Sequence, residues 1–287
     1  TVAGAYTLNL GDNVTFNTPL ILKGNNAATL KLTAATGKTL KTVGNRSAEN
    51  TGATDGNLLY GSVTGFAYVD LNTDADANGK LYVEKYVTKD KKENWVYTDG
   101  VFTVVKDLTL ANAQLKAASV TVSGNVTMRN SQVEADGAFT FNKDLTYTGS
   151  NALTTIRKSA TELTPYLTIK GNVASTDGST ITVKVLNNDG TIPKLATLND
   201  NTCRRLLVAP KADISLFVPD SENLKAGNEN PYETGKETGY IFFRDKSGYV
   251  NIYYADEVQA AVYADYDLLG YYVTWADAVA AVNAYKS

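Results

Sequence analysis

A nine-residue phrase written twice sets the terms for this chain. Phe102–Leu110 (FTVVKDLTL) returns as Phe139–Tyr147 (FTFNKDLTY), with six identities in nine at an offset of 37. Around both copies, residues 101–147 break into short pieces of alternating apolar and polar residues, separated by Gly, Asn, Asp and Ser. A period of two marks strands with one buried face, and pieces this short leave no room for intervening helices. The offset equals two coils of roughly 18–19 residues each, inside the range of solenoid repeats. A second echo, Leu20–Asn25 (LILKGN) against Leu167–Asn172 (LTIKGN), carries the texture well beyond the repeated phrase. The expected fold class is therefore mostly β, a parallel β-helix or solenoid with a small C-terminal α/β cap.

Punctuation along the chain divides it further. The solenoid is expected over 1–220, with residues 33–65 read as loops or long turns around an apolar island at Leu58–Tyr60. A hairpin-bearing insertion is expected near 66–100, where Lys89–Glu93 (KDKKE) would be the solvated tip. Residues 221–239 are polar and rich in Gly and Asn, the composition of a linker or long loop. Residues 240–287 read as a hairpin-plus-helix cap or inter-repeat junction. Thr274 is placed to cap a helix with Asp277 three residues on. Trp275, Ala278, Val279 and Val282 then share one apolar face, which predicts a buried Trp275.

Composition closes several routes. The chain has 287 residues, no histidine and one cysteine, Cys203. Without histidine, every Ser/His or Cys/His nucleophile pair is excluded, along with the commonest zinc ligand. One cysteine forms no internal disulfide, and beside Arg204 and Arg205 it reads as a small buried hydrophobe. Net charge is −3 with the cations scattered, so no basic stripe faces nucleic acid. No run approaches the roughly 18 apolar residues of a membrane span.

Two patterns carry candidate chemistry. Asp74, Asp76 and Asn78 precede Gly79 at alternate positions, the first half of an EF-hand-type calcium loop, although Lys85 stands where a bidentate Glu belongs. Calcium is thus the cofactor these residues suggest, and none is required. The 18 Tyr and two Trp offer flat faces on which sugar rings stack. Trp95, Tyr82, Tyr86 and Tyr97 cluster in one segment and form the expected carbohydrate platform. No catalytic residues are assigned.

The phrase Tyr272–Ala284 (YVTWADAVAAVNA) resembles the opening of tandem modules in large bacterial surface proteins. In those, a helix is followed by a strand such as Tyr6–Leu10 (YTLNL) and a turn such as Gly11-Asp12. The middle of the chain resembles right-handed parallel β-helix proteins, a class that includes pectate-lyase-like enzymes and adhesins. These resemblances imply an extracellular, non-enzymatic module at the bacterial cell surface, for adhesion or stalk extension, with carbohydrate as one ligand. Implied partners are a polysaccharide or a host or cell-surface protein, and neighbouring repeats of the same chain. The alternatives are a β-helix carbohydrate-active enzyme, either a polysaccharide lyase or a carboxylate-based glycosidase, and a purely structural spacer.

Overall fold

A strand of four alternating residues cannot cover its own apolar face, so such strands must stack on one another. The computed structural model shows how they do it. It describes residues 3–10, 14–16, 21–34, 40–42, 58–60, 63–73, 79–84, 86–89, 92, 95–98, 100–157, 167–187, 205–219, 240–244, 247–254, 259–264, 267–272 and 274–286. The fold is mostly β with parallel sheets, and one α-helix lies at the C-terminus.

From Val101 the strands come in threes. Val101–Val104, Leu108–Ala111 and Ala113–Ala117 make one row, followed by Ser119–Val122, Val126–Arg129 and Gln132–Ala135. Phe139–Phe141, Leu145–Thr148 and Asn151–Arg157 make the next, then Leu167–Ile169, Val173–Ser175 and Ile181–Asn187. The first strand of every row joins a nine-stranded sheet, the second a seven-stranded sheet and the third another seven-stranded sheet. All pair in parallel with their counterparts in the adjacent rows. The two copies of the repeated phrase stand two rows apart, since Phe102 pairs with Val120 and Val120 with Phe139.

Inward positions stack in register and make one core. Phe102, Val120, Phe139 and Leu167 form one column, and Val104, Val122, Phe141 and Ile169 another. Every one of these side chains is at most 1% exposed. Phe139 and Phe141 meet edge-on with ring centroids 5.2 Å apart. Burial of each such side chain is worth about 1.5–3 kcal/mol, so the columns supply most of the driving force for stacking.

The rows before Val101 follow the same plan. Val63–Phe66, Tyr68–Thr73 and Gly79–Glu84 join the three sheets in turn, and Leu58–Tyr60 is a strand of the third sheet rather than part of a loop. Apolar side chains at three successive positions do not alternate, which hid that strand. Ala5–Leu10 is the edge of the second sheet, pairing with Thr29–Ala34. Within 66–100 the hairpin is confined to Tyr86–Lys89 and Trp95–Thr98, while the flanking strands belong to the rows.

At the other end the three-strand rhythm stops. Arg205–Val208 adds to the first sheet, and the hairpin of Tyr240–Arg244 and Tyr249–Tyr254 extends that sheet in antiparallel sense. In place of a further second-sheet strand, a 3-10 turn at Ile214–Leu216 packs on the core, before Phe217–Pro219 joins the third sheet. A second hairpin, Ala260–Ala264 with Asp267–Tyr272, carries the helix Trp275–Lys286. The helix begins as its sequence predicts: Asp277 N–H donates to Thr274 Oγ1 at 3.2 Å, and the Thr274 hydroxyl donates to the Asp277 carboxylate at 2.7 Å. Its packing differs from expectation. Ala278 is 4% exposed, but Trp275 is 65% exposed and Val279 55%. A two-stranded hairpin is narrow, so it covers only the stripe where alanine permits close approach, and Trp275 is not core. Among the described residues, no helix is long and apolar enough to cross a membrane.

Candidate binding surface

The corner between the first and second sheets explains why the repeat spans two rows and not one. Successive rows place Lys106-Asp107, Gly124-Asn125, Lys143-Asp144 and Gly171-Asn172 at this corner. Asp107 Oδ1 accepts the Asn125 N–H at 2.7 Å, and Asp144 Oδ1 accepts the Asn172 N–H at 2.8 Å. Glycine is required beside each asparagine. A Cβ on Gly124 would lie 2.3 Å from the Lys106 carbonyl oxygen, and one on Gly171 2.3 Å from the Lys143 carbonyl carbon. Lys-Asp therefore stacks on Gly-Asn, and like corners recur in alternate rows.

The corner between the second and third sheets uses another device. Asn112 and Asn130 adopt positive φ (50° and 48°), with Gly149 at 71° in the next row. Asparagine tolerates this left-handed region better than other side-chain-bearing residues. Asn130 Oδ1 accepts the Ser150 N–H at 3.0 Å, filling the space where a Gly149 side chain would stand. Inside the corner, buried Ser131 and Asn151 satisfy one another's rows: Ser131 N–H donates to Asn151 Oδ1 at 2.9 Å, and Ala113 N–H donates to Ser131 Oγ at 3.1 Å.

These corners hold the outward positions in line. Thr103, Thr121, Thr140 and Thr168 form one column on the first sheet. Thr109, Thr127 and Thr146 form another on the second, the first two exposed and the third half-buried. Hydroxyls, each both donor and acceptor, thus recur about every 4.8 Å along the stack. Beside the second column run Asp107, Asn125, Asp144 and Asn172. On the third sheet, Lys116 and Glu134 form an ion pair at 2.8 Å. This alignment between rows was not predicted, although the alternation that creates it is visible in each strand.

The residues proposed from sequence are distributed differently. Asp74, Asp76 and Asn78 lie outside the described residues, as do Cys203 and Arg204. Among the described residues no group of three or more His, Cys, Asp or Glu is arranged to hold a metal. Tyr82 belongs to the third sheet, paired with Lys116 and Leu58. Trp95, Tyr97 and Tyr86 belong instead to the small hairpin, paired with Lys89, Val87 and Thr98 respectively. The four aromatics are thus split between two sheets.

Neither the protein-family models, the curated proteins nor the solved structures contain a match to this chain.

Two polar side chains near the end of the stack have a structural explanation. Asp177 accepts from the Ser179 hydroxyl at 2.6 Å, the Gly149 N–H at 2.8 Å, the Ser179 N–H at 3.1 Å and the Ser175 hydroxyl at 3.0 Å. These bonds, the Ser179 hydroxyl foremost, hold its carboxyl well below the usual carboxylate range. With its oxygens so engaged, it serves as a pin between rows and not as a proton carrier. Tyr147 takes the place of Leu110 in the repeated phrase, and its hydroxyl approaches the carbonyls of Ser179 at 3.0 Å and Leu216 at 3.3 Å. Burial pushes its phenol up to about 12, as expected where ionisation would set a charge against carbonyl oxygens.

Proposed function

We propose that this chain is a non-enzymatic, extracellular module of a bacterial surface protein, built as a parallel β-helix and serving adhesion or stalk extension. The observation that carries this reading is the run of outward threonines held in register through successive rows. Strand-on-strand stacking gives a shape that grows along one axis, and seven strands of the second sheet correspond to a length of about 30 Å at the usual strand spacing. Along that face Thr109, Thr127 and Thr146 offer repeated hydroxyl groups, and the same column continues into Asp70 and Lys31, whose opposite charges leave little net charge. The matching ligand is an extended, neutral polysaccharide lying along the stack, where many weak hydrogen bonds act together. Trp95 and Tyr97 are of the residue types on whose rings sugars stack.

Binding of the 287-residue protein to immobilised neutral and acidic polysaccharides, with and without calcium, tests this reading. Saturable binding to a neutral polymer is expected, weakened by Thr127→Lys on the sheet face and by Trp95→Ala in the hairpin. Calcium dependence would assign a role to Asp74, Asp76 and Asn78. Silence across the panel in both conditions would refute carbohydrate recognition and leave a spacer or protein-binding stalk. Polymer cleavage would refute the non-enzymatic assignment.

A further inference from the structure

An aromatic ring interrupts the polar corner between the first and second sheets. Ala67 and Val69 turn inward and are each 1% exposed, whereas Tyr68 between them is 41% exposed. Tyr68 pairs with Thr29 on one side, and on the other the pairing of Val69 with Leu108 sets it beside Asp107. It therefore continues the line of Asp107, Asn125, Asp144 and Asn172. Strands flank it on both sides, so its exposure belongs to the face of the sheet and not to an end of the stack.

Donors and acceptors surround the ring. The Lys106 ammonium stands 5.3 Å from the ring centroid, a cation–π contact that orients the ring before any ligand arrives. Among the described residues that ammonium makes no hydrogen bond or ion pair. Asp107 accepts the Asn125 N–H through Oδ1. Asp144 uses the same oxygen to accept the Asn172 N–H at 2.8 Å and its side-chain amide at 3.2 Å. Neither carboxylate engages Oδ2 among the described residues, so each keeps an acceptor for a ligand hydroxyl. Lys143-Asp144 repeats Lys106-Asp107 two rows on, about 9.6 Å away at the usual strand spacing.

We propose that this corner anchors the glycan, and that the glycan is a flat, extended, neutral polymer of β-1,4-linked sugars; the inference rests on the polysaccharide reading above. One sugar stacks on Tyr68, with its hydroxyls bonded to Lys106 and Asp107, and Asp144 meets the sugar two places along. A sugar ring has an apolar C–H face and a rim of hydroxyls, which an aromatic ring flanked by a donor and an acceptor complements. In a β-1,4-linked chain successive sugars face opposite ways, so equivalent hydroxyls return with every second sugar. In this corner equivalent carboxylates return with every second row, and an extended disaccharide is close in length to two strand spacings. An α-1,4-linked chain coils and loses that match. Lys106 and Lys143 balance Asp107 and Asp144, so a uronic-acid polymer gains no net attraction.

Titration calorimetry of the full chain with cellohexaose, β-1,4-linked mannohexaose and maltohexaose tests the proposal. Both β-1,4-linked probes are expected to bind, and maltohexaose at least about tenfold more weakly. Tyr68→Ala is expected to weaken cellohexaose by at least about tenfold, with the melting temperature of the parent. Tyr68→Leu removes the flat ring but keeps an apolar side chain, and it decides if Tyr68→Ala fails to fold. Asp144→Asn retains the Oδ1 acceptor for Asn172 but puts an amide nitrogen in place of Oδ2, and should weaken cellohexaose by about threefold. Cellohexaose binding that survives loss of the Tyr68 ring, or that Asp144→Asn leaves unchanged, would overturn the assignment. So would maltohexaose binding as tightly as cellohexaose. In any of these cases the broader reading stands if Thr127→Lys still weakens binding to a neutral polysaccharide. Silence towards every glycan would overturn both.

Discussion

Replacing Gly171 by alanine is a direct test of the corner that links the rows. The added methyl would lie 2.3 Å from the Lys143 carbonyl carbon, 2.4 Å from its oxygen and 2.5 Å from the Asp144 nitrogen. All three are backbone atoms of the preceding row, so no side chain can swing aside. Opening 2.3 Å to the 3.4 Å of an ordinary contact moves the rows apart by about 1 Å. The same movement stretches the Asn172 N–H to Asp144 bond at 2.8 Å and the Leu145 N–H to Asn172 carbonyl bond at 2.9 Å. Overpacking of this kind costs about 1–3 kcal/mol, and each weakened hydrogen bond up to about 1 kcal/mol more. A total of about 2–4 kcal/mol is expected, or roughly 5–10 °C in melting temperature for a chain of this size. Thermal unfolding followed by circular dichroism reads the shift. Gly178→Ala is the control: its φ is +76° but nothing lies within 4 Å of the added carbon, so it costs only the left-handed penalty of about 1–2 kcal/mol. The reasoning fails if Gly171→Ala melts within a degree of the parent, or no lower than Gly178→Ala.

Two further outcomes follow from buried polar groups. Thr155 is 2% exposed in an otherwise apolar column, and its hydroxyl has no hydrogen-bond partner; Thr155→Val should stabilise by about 1 kcal/mol in urea titration, and a loss of stability would show that the hydroxyl is satisfied in solution. Tyr147 holds its proton to about 12, above its ordinary 10.0, so its contribution is complete below pH 10 and fades as the pH rises towards 12. Tyr147→Phe should flatten that alkaline decline while costing about 1 kcal/mol at neutral pH, because two carbonyls lose their donor. An unchanged alkaline limb would refute the assignment.

Where large residues point inward, the fold could be read from the sequence. Phe102, Val104, Phe139 and Phe141 alternate with threonines, and their strands fall where the pattern puts them. The third strand of each row was harder, because Ala113–Ala117 and Gln132–Ala135 fill inward positions with small side chains as well as Leu115 and Val133. The 37-residue offset was plain, but its cause is a contact between rows that no single strand displays. The same limit governs the candidate surface. Alternation places Thr103 and Thr121 outward, yet only register aligns them with one another and separates Tyr82 from Trp95. Trp275 misled because helical periodicity identifies an apolar face without saying how wide its partner is.

The alternation of Lys-Asp with Gly-Asn also fixes how this architecture can change length. Excision of the row at Ser119–Ala135 would set Lys-Asp against Lys-Asp, with two carboxylates facing and no glycine to receive them. Excision of the row at Phe139–Arg157 would set Gly-Asn against Gly-Asn, with no carboxylate to accept the asparagine N–H. Excision of two restores the match. The natural increment of growth or loss in this part of the molecule is thus a pair of rows, and an insertion is tolerated according to its parity before its length.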